Sequence, residues 1–227
     1  MAHYLIFLGS TRTSTPPAPA RLGERVAKAC EHLLSSLPDT TAEIIDPLTL
    51  ALPAAFKPHF AYAKKEVPDD LDTLAGKIEH ADGYVMVSPE YNHSMSPALS
   101  HLLNHFGASL FAFKPCAIVT YSMGQWGGAR AAVSMRAFLS ELGCLPVSAM
   151  IHIPKAQEAL NDDGQFAQEQ ERWERYFGRT LGQLTWWAKA AASYKNHVDP
   201  TQVSPAFSKS PTQRNAPNID ASKTNDA

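Results

Sequence analysis

Short apolar runs that alternate with amphipathic stretches constrain the fold of this chain more than any other feature of its sequence. Segments 4–8, 42–46, 84–87, 117–121 and 145–153 are apolar enough to be buried strands. Helical spacing of apolar residues predicts helices near 21–37, 70–80, 129–142 and 167–189, and another that begins at Pro97 with Ser96 as its N-cap. Strands that are apolar throughout belong in a parallel sheet covered on both faces. The sequence therefore predicts an α/β fold, in its simplest form a doubly wound, five-stranded parallel sheet with helices on both faces.

The end of the chain differs in composition from the rest. From Lys195 onward its large apolar residues are Val198, Val203, Phe207 and Ile219, among prolines and many Ser, Thr and Asn residues. Such a segment buries too little apolar surface to offset the entropy of ordering it. We therefore expect one domain over 1–194 and a polar tail over 195–227 that is disordered or docks on a neighbouring subunit.

Charge and cysteine content narrow the choice of partners. The chain has 20 basic and 22 acidic residues, a formal net charge of −2, which gives no electrostatic reason to expect nucleic acid or an anionic membrane. No apolar run reaches the ~18 residues that span a bilayer, and the N-terminus lacks the features of a signal peptide. Three widely spaced cysteines, Cys30, Cys116 and Cys144, suggest free thiols. These features predict a cytoplasmic protein without membrane or nucleic-acid partners.

Ligands of doubly wound sheets bind beyond the carboxyl ends of the strands, where the winding direction reverses. The loop after the first strand reads Gly9-Ser-Thr-Arg-Thr-Ser-Thr15 and precedes a helix. Its hydroxyl groups, its backbone N–H groups and the guanidinium of Arg12 suit a phosphate. It is not the P-loop of nucleotide triphosphatases, because no G-K-[ST] follows. An ordinary Ser/Thr-rich turn is the alternative.

Two further loops are expected at the same edge. The segment Ser88–Pro97 combines an aromatic ring, an amide and a tight turn, which suits a planar heterocycle. The segment Tyr121–Arg130 contains three glycines, which imply positive φ angles or close approach of the backbone to another group. Each loop alone could be an ordinary connection. Their common position at the expected ligand edge is the stronger argument.

Three segments resemble the NADPH-dependent FMN reductase family of flavodoxin-like proteins. They are Gly9-Ser10-Thr11-Arg12, Pro89-Glu90-Tyr91-Asn92-His93-Ser94, and Gly124-x-x-Gly127-Gly128-Ala129-Arg130 with Arg136 further along the helix. The resemblance covers roughly residues 4–155, although the first loop is longer and richer in proline than is usual for the family. It implies a flavodoxin-like sheet of strand order 2-1-3-4-5, bound FMN, and NADPH or NADH as hydride donor.

The resemblance also implies which residues hold the flavin. The FMN phosphate would contact Ser10, Arg12 and a hydroxyl group at Ser14 or Thr15. The ribityl chain and the ring would contact Pro89, Glu90, Tyr91, Asn92 and His93 on one side and Ser122, Gly124, Gly127 and Gly128 on the other. No catalytic acid, base or nucleophile is expected, because the N5 atom of FMN carries the hydride. The acceptor would be a quinone, azo, ferric or similar small molecule, the kinetics ping-pong, and the protein a homodimer or homotetramer.

Two other functions are weighed against this one. An electron carrier or flavin-binding module without reductase activity is the first, but carriers of the flavodoxin type tend to be strongly acidic and this chain is nearly neutral. A metal or hydrolytic site at His101 and His105, with His93 nearby, is the second. No cysteine or carboxylate lies at a matching spacing, and no G-x-S-x-G motif is present.

The tryptophans are further candidates for functional contacts. Trp126, in the third loop, is expected near the flavin or across a subunit contact. Of the adjacent Trp186 and Trp187, one ring is expected in the core and the other in a subunit contact.

Overall fold

A parallel sheet forms the centre of the computed structural model, which describes residues 1–13, 19–53 and 55–203. Its strands are β1 (Ala2–Leu8), β2 (Thr40–Ile45), β3 (Gly83–Pro89), β4 (Pro115–Tyr121), β5 (Leu145–Pro146) and β6 (Ile151–Ile153). Their order is β2-β1-β3-β4-β5, all neighbours run parallel, and β6 also pairs with β4. The flavodoxin-like, doubly wound order 2-1-3-4-5 is confirmed.

Helices cover both faces of the sheet. They are α1 (Leu22–Ser35), α2 (Asp69–His80), α3 (Pro97–Asn104), α4 (Ala108–Phe111), α5 (Ala129–Glu141), α6 (Ala156–Ala159), α7 (Gln170–Lys195) and α8 (Pro200–Val203). Apolar side chains of α1 and α7 pack on one face of the sheet, and those of α2 to α5 pack on the other. As predicted, Ser96 caps α3 by accepting a hydrogen bond from the Leu99 N–H at 3.1 Å.

The central strands are buried on both faces, which explains their uninterrupted apolar sequences. In β1, Tyr4, Ile6 and Leu8 face α1 and α7. Leu5 and Phe7 alternate with them and face the opposite layer. All five side chains are fully buried. Because successive residues of a strand point to opposite faces, a strand covered on both sides must be apolar at every position.

The prediction of one continuous strand over 145–153 is wrong. β5 pairs with the start of β4, β6 pairs with its end, and residues 147–150 lie outside both strands. Arg136 explains part of the interruption, because its Nη2 donates to the carbonyl oxygens of Val147 at 2.8 Å and Ser148 at 2.6 Å. The Ser148 hydroxyl donates to Gln183 of α7 at 2.8 Å. Side chains therefore satisfy backbone carbonyl groups that, in a continuous strand, would bond to the neighbouring strand.

The last long helix begins and ends later than predicted. It runs over Gln170–Lys195, so its end coincides with the predicted boundary between domain and tail. α8 follows, and residues from 204 onward lie outside the described residues, so the tail stays a prediction. The expectation that one ring of Trp186 and Trp187 packs in the core is wrong, since they are 61% and 49% exposed. No helix within the described ranges is long and apolar enough to cross a membrane.

Candidate functional site

A cavity of about 640 Å³ opens at the carboxyl edge of the sheet, where the three predicted loops meet. The first loop lines it with Ser10, Thr11 and Arg12, the second with Pro89, Glu90 and Tyr91, and the third with Tyr121, Ser122 and Met123. Six of the predicted site residues therefore surround one space: Ser10, Arg12, Pro89, Glu90, Tyr91 and Ser122. Ser14 and Thr15 lie outside the described residues.

Glycine at position 9 allows the start of the first loop to lie in close contact with β3 and α3. A Cβ atom there would lie 2.6 Å from the Val87 carbonyl oxygen and 2.9 Å from the Leu99 Cβ. The Gly9 carbonyl accepts a hydrogen bond from the Ser96 hydroxyl at 2.7 Å. Because Ser96 also caps α3, the first loop and the start of α3 are held together at the base of the cavity.

Two arginines at the first loop have different environments. Arg21 is buried, and its Nη1 donates to the Ser10 carbonyl at 2.9 Å while its Nη2 pairs with Asp46. Burial lowers the pKa of Arg21, which the carboxylate of Glu24 partly opposes. Arg12 is exposed at the cavity and has no carboxylate partner among the described residues. The Arg12 guanidinium is therefore the group available to an anion, whereas Arg21 stabilises the loop.

Tyr121 lies beside this loop at the end of β4. Burial raises the pKa of its phenol, and a hydrogen bond with Ser10 opposes that shift. A Cβ atom on Gly23 would lie 2.5 Å from the Tyr121 hydroxyl oxygen, so helix α1 approaches this ring closely. The Tyr121 side chain is thus a neutral hydrogen-bonding group in the wall of the cavity.

The second loop contains a tight turn with two left-handed residues. Tyr91 and Ser94 exchange two backbone hydrogen bonds of 2.9 Å, and Asn92 and His93 between them have φ angles of 49° and 62°. Positive φ at both central residues is the mark of a type I′ turn, in which asparagine is favoured. Both residues are exposed on the turn next to the cavity and do not line it.

Glu90, which lines the cavity, carries an unsatisfied acceptor. Its Oε1 lies 3.0 Å from Arg130 Nε and 4.0 Å from His93 Nε2. The side chain is 11% exposed, and its Oε2 is buried without a hydrogen-bond partner among the described residues. An unpaired buried acceptor costs about 1–3 kcal/mol.

A second unsatisfied acceptor comes from a residue that the sequence analysis missed. Gln157 of α6 lines the cavity, its Nε2 donates to the Met123 carbonyl at 3.3 Å, and its Oε1 is buried without a partner. Arg21 and Arg25 of the cavity wall were also missed. The position of Gln157 shortly after the last strand could have predicted it, since the segment after that strand begins at the same edge of the sheet as the three loops.

Two glycines of the third loop, Gly127 and Gly128, serve packing. Gly127 and Gly128 have φ angles of 58° and 77°. A Cβ atom on Gly127 would lie 2.9 Å from the backbone nitrogen of Ile153, and one on Gly128 would lie 2.8 Å from the Thr120 Cβ. They let the start of α5 lie against β4 and β6, and neither they nor Gly124 lines the cavity.

Ser122 links the third loop to β6. Its N–H donates to the Ile153 carbonyl at 3.1 Å, and its hydroxyl donates to the Gly124 carbonyl at 2.9 Å. Trp126, at the tip of the loop, is 63% exposed and does not line the cavity.

The histidine pair that could suggest a metal site is part of an aromatic cluster. The rings of His101 and His105 are 4.8 Å apart, and the ring of Phe56 is 4.8 Å from that of His105. The His105 Nδ1 donates to the Lys57 carbonyl at 3.1 Å, and burial lowers the pKa of the imidazole. Within the described part of the chain, no group of three or more His, Cys, Asp or Glu side chains could hold a metal ion.

Comparisons with known proteins agree with this geometry. The sequence model of the NADPH-dependent FMN reductase family matches residues 3–158. The chain is 33% identical over 109 residues to the NADH:(hydroxy)cinnamate reductase subunit CrdA of Vibrio ruber, which is 46% of this chain and 54% of that protein. It is 40% identical over 75 residues to a quinone reductase of Escherichia coli, which is 32% of this chain and 40% of the relative. The chain thus spans about half the length of the curated relatives it matches.

A solved structure shows the same fold. FerB, a flavoenzyme NAD(P)H:(acceptor) oxidoreductase from Paracoccus denitrificans, superposes with a TM-score of 0.63 at 21% identity. The superposition covers 83% of this chain and 98% of FerB.

Proposed function

Since the chain belongs to the NADPH-dependent FMN reductase family, we propose that it binds FMN in the cavity and passes hydride from NADPH or NADH to a small acceptor. The observation that carries this proposal is the meeting of three loops around one cavity of about 640 Å³. The guanidinium of Arg12, in the first loop of this cavity, is exposed and has no carboxylate partner among the described residues. Glu90 and Gln157 line the same cavity, and each carries a buried oxygen without a hydrogen-bond partner in the described part of the chain.

The residues of the cavity fit the parts of FMN. We propose that Ser10 and Arg12 hold the phosphate, with Ser14 or Thr15 from the loop that follows. Pro89, Glu90, Tyr91 and Ser122 would line the ribityl chain and the ring. We propose that Glu90 and Gln157 turn their buried, unsatisfied oxygens toward hydroxyl or N–H groups of the flavin when it binds.

The remaining predicted residues have other positions. Asn92 and His93, on the neighbouring turn, and Gly124 stay predictions as flavin contacts. We propose that Gly127 and Gly128 act indirectly, because they set where α5 begins beside the third loop.

Bound FMN would supply the redox chemistry by taking up hydride at N5 and passing electrons to the acceptor. The chain's own residues bind and orient: the first loop fixes the phosphate, and the second and third loops hold the ring between them. Tyr91 and Met123 are 42% and 63% exposed where the cavity opens to solvent. We propose that donor and acceptor use this opening in turn, which gives ping-pong kinetics.

We propose a quinone as the acceptor, because one of the relatives is named a quinone reductase. Azo and ferric compounds are further acceptors to test.

The experiment that tests the proposed function is an absorption spectrum of the purified protein after loading with FMN and desalting, followed by anaerobic addition of NADPH or NADH. The proposal is supported if the protein retains flavin and the flavin absorbance bleaches on addition of the nicotinamide. Steady-state rates with a quinone should then give parallel lines in double-reciprocal plots. Flavin that bleaches slowly and turns over only with a partner reductase would favour an electron carrier, and failure to load FMN would refute the site.

We also propose a homodimer or homotetramer in the cytoplasm. Large apolar side chains such as those of Trp126, Trp186 and Trp187 are exposed and could pack against a second copy. The three cysteines are free thiols, as expected in a reducing compartment. Light scattering after gel filtration tests the assembly, and a monomer would contradict it.

A further inference from the structure

A short hairpin beyond the cavity lies against the first helix. In residues 160–166, Leu160 and Phe166 form an antiparallel bridge, and the Asn161 side chain accepts hydrogen bonds from the backbone of the turn. A Cβ atom on Gly164 would lie 2.6 Å from Lys28 Cβ and 2.7 Å from the Arg25 carbonyl oxygen. Glycine at this position lets the hairpin contact α1 directly, at the end of α1 that faces the cavity.

Asp162 of this hairpin contacts Ala20, two residues before α1 begins. One carboxylate oxygen accepts a hydrogen bond from the Ala20 N–H at 3.2 Å, and the other lies 2.6 Å from Arg25 Nη2. Arg25 in turn donates from Nε to the Ala20 carbonyl at 2.9 Å and from Nη1 to the Leu160 carbonyl at 3.0 Å. We call Ala20, Arg25 and Asp162 the Ala20 anchor. Both backbone polar groups of Ala20 are bound within it.

The Ala20 anchor is next to the groups proposed to bind phosphate. Ala20 and Arg25 line the cavity, and Arg21, the residue after Ala20, donates to the Ser10 carbonyl. Arg25 is only 8% exposed, whereas the Asp162 side chain is 55% exposed. A change at Asp162 would remove the protein partner of a buried guanidinium nitrogen and of the Ala20 N–H. The position of Ala20, and through Arg21 that of Ser10, would then be less fixed.

We propose that Asp162 is a positioning residue for the flavin phosphate, acting through Ala20 and Arg25 on the first loop. This inference rests on the proposed function, since it concerns the affinity for FMN. Asp162 touches neither Ser10 nor Arg12, so its effect would be confined to the part of the ligand that the first loop holds. Riboflavin, which has the same ring and ribityl chain but no phosphate, separates this effect from general loosening of the cavity.

The experiment measures dissociation constants for FMN and for riboflavin by quenching of flavin fluorescence. In Asp162→Ala the constant for FMN is expected to rise about tenfold, because the freed Ala20 segment must be ordered again when the phosphate binds, while that for riboflavin stays unchanged. Asp162→Asn, which keeps the shape and one acceptor oxygen, should lie between parent and Asp162→Ala. It also serves if Asp162→Ala does not fold. The neighbouring Asp163→Ala is the matched control and should change neither constant.

Two results would overturn the inference. One is an FMN constant in both Asp162 variants that stays within about twofold of the parent. The other is an equal loss of affinity for FMN and riboflavin, which would show a general structural role. If the parent protein itself binds no FMN, the proposed function fails instead, so the two failures are distinguishable.

Discussion

The two ends of the cavity are built differently. At the first-loop end, formed by Gly9, Ser10 and Arg21, side chains are buried and backbone groups are bound by Ser96 and Arg21. At the mouth, formed by Tyr91 and Met123, large side chains are exposed to solvent. A fixed end suits a group that stays bound, because preorganised donors lose little entropy on binding. An open apolar mouth suits molecules that enter and leave.

Gly9→Ala is expected to have the largest effect, because it damages the fixed end of the cavity. The new Cβ would lie 2.6 Å from a backbone oxygen that cannot move without shifting β3. Overpacking of this kind costs about 3 kcal/mol, a fall of roughly 6–12 °C in Tm for a chain of this size. Thermal unfolding and FMN binding should both deteriorate.

The control for this change is a glycine outside the cavity wall. A Cβ on Gly124, in the third loop, meets nothing within 4 Å. Gly124→Ala should therefore change Tm little. An equal loss of stability in both variants would contradict the difference between the two ends.

Arg21→Met should come next in size. The change leaves the Ser10 carbonyl and the Asp46 carboxylate without their guanidinium partner, at a cost of about 2–3 kcal/mol. Arg12→Met should change stability by only about 0.5 kcal/mol, because Arg12 is exposed and has no carboxylate partner among the described residues, yet raise the FMN dissociation constant about tenfold. Tm and fluorescence titration measure the two effects separately. Loss of stability in Arg12→Met, or unchanged FMN affinity in it, would show that the two roles are assigned wrongly.

The sequence predicted the sheet and the meeting of the three loops for a physical reason. Apolar strands buried on both faces have few possible arrangements, and the loops after β1, β3 and β4 must then share one edge. Ser10 and Arg12 follow β1 directly, so their position is fixed by the strand itself.

Other parts depended on contacts that are distant along the chain. The interruption between β5 and β6 needs Arg136 of α5 and Gln183 of α7. Gln157 reaches the cavity from α6, and Gly127 is a glycine because of Ile153. No local sequence pattern predicts contacts between such distant residues, because they depend on how the helices and strands pack together.

The stability of the protein should depend on pH through His105, the C-cap of α3. The N-cap of the same helix, Ser96, donates a hydrogen bond to the Gly9 carbonyl. Burial lowers the pKa of His105, so the unfolded state binds its proton more readily than the folded state. Stability should be fully present above the ordinary histidine pKa of about 6.5 and fall as the pH decreases below it. Within the described residues His105 Nε2 is buried and has no hydrogen-bond partner, so a proton added there would be unsatisfied.

His105→Gln tests this assignment, because glutamine can still donate to the Lys57 carbonyl but does not titrate. The fall in Tm between about pH 7.5 and pH 5.5, either side of the histidine pKa, should be smaller in the variant than in the parent. His152, whose pKa burial also lowers, should account for part of the remaining fall. An unchanged pH dependence in the variant would remove His105 from this role.

Met123→Ala is expected to have the smallest effect on stability and to sharpen the description of the mouth. The side chain is 63% exposed, and the hydrogen bond from Gln157 goes to the backbone carbonyl of Met123. The free energy of unfolding should therefore change by no more than roughly 0.5 kcal/mol, as is typical of surface positions, and Tm should change little. If donor or acceptor packs on this side chain, the KM for one of them should rise a few-fold while kcat is kept, since the lost apolar contact amounts to about 1 kcal/mol. Val133→Ala is the control, because Val133 is 68% exposed but does not line the cavity. Equal KM values in parent, Met123→Ala and Val133→Ala would show that substrates do not contact Met123, and the mouth would then have to be assigned to other residues.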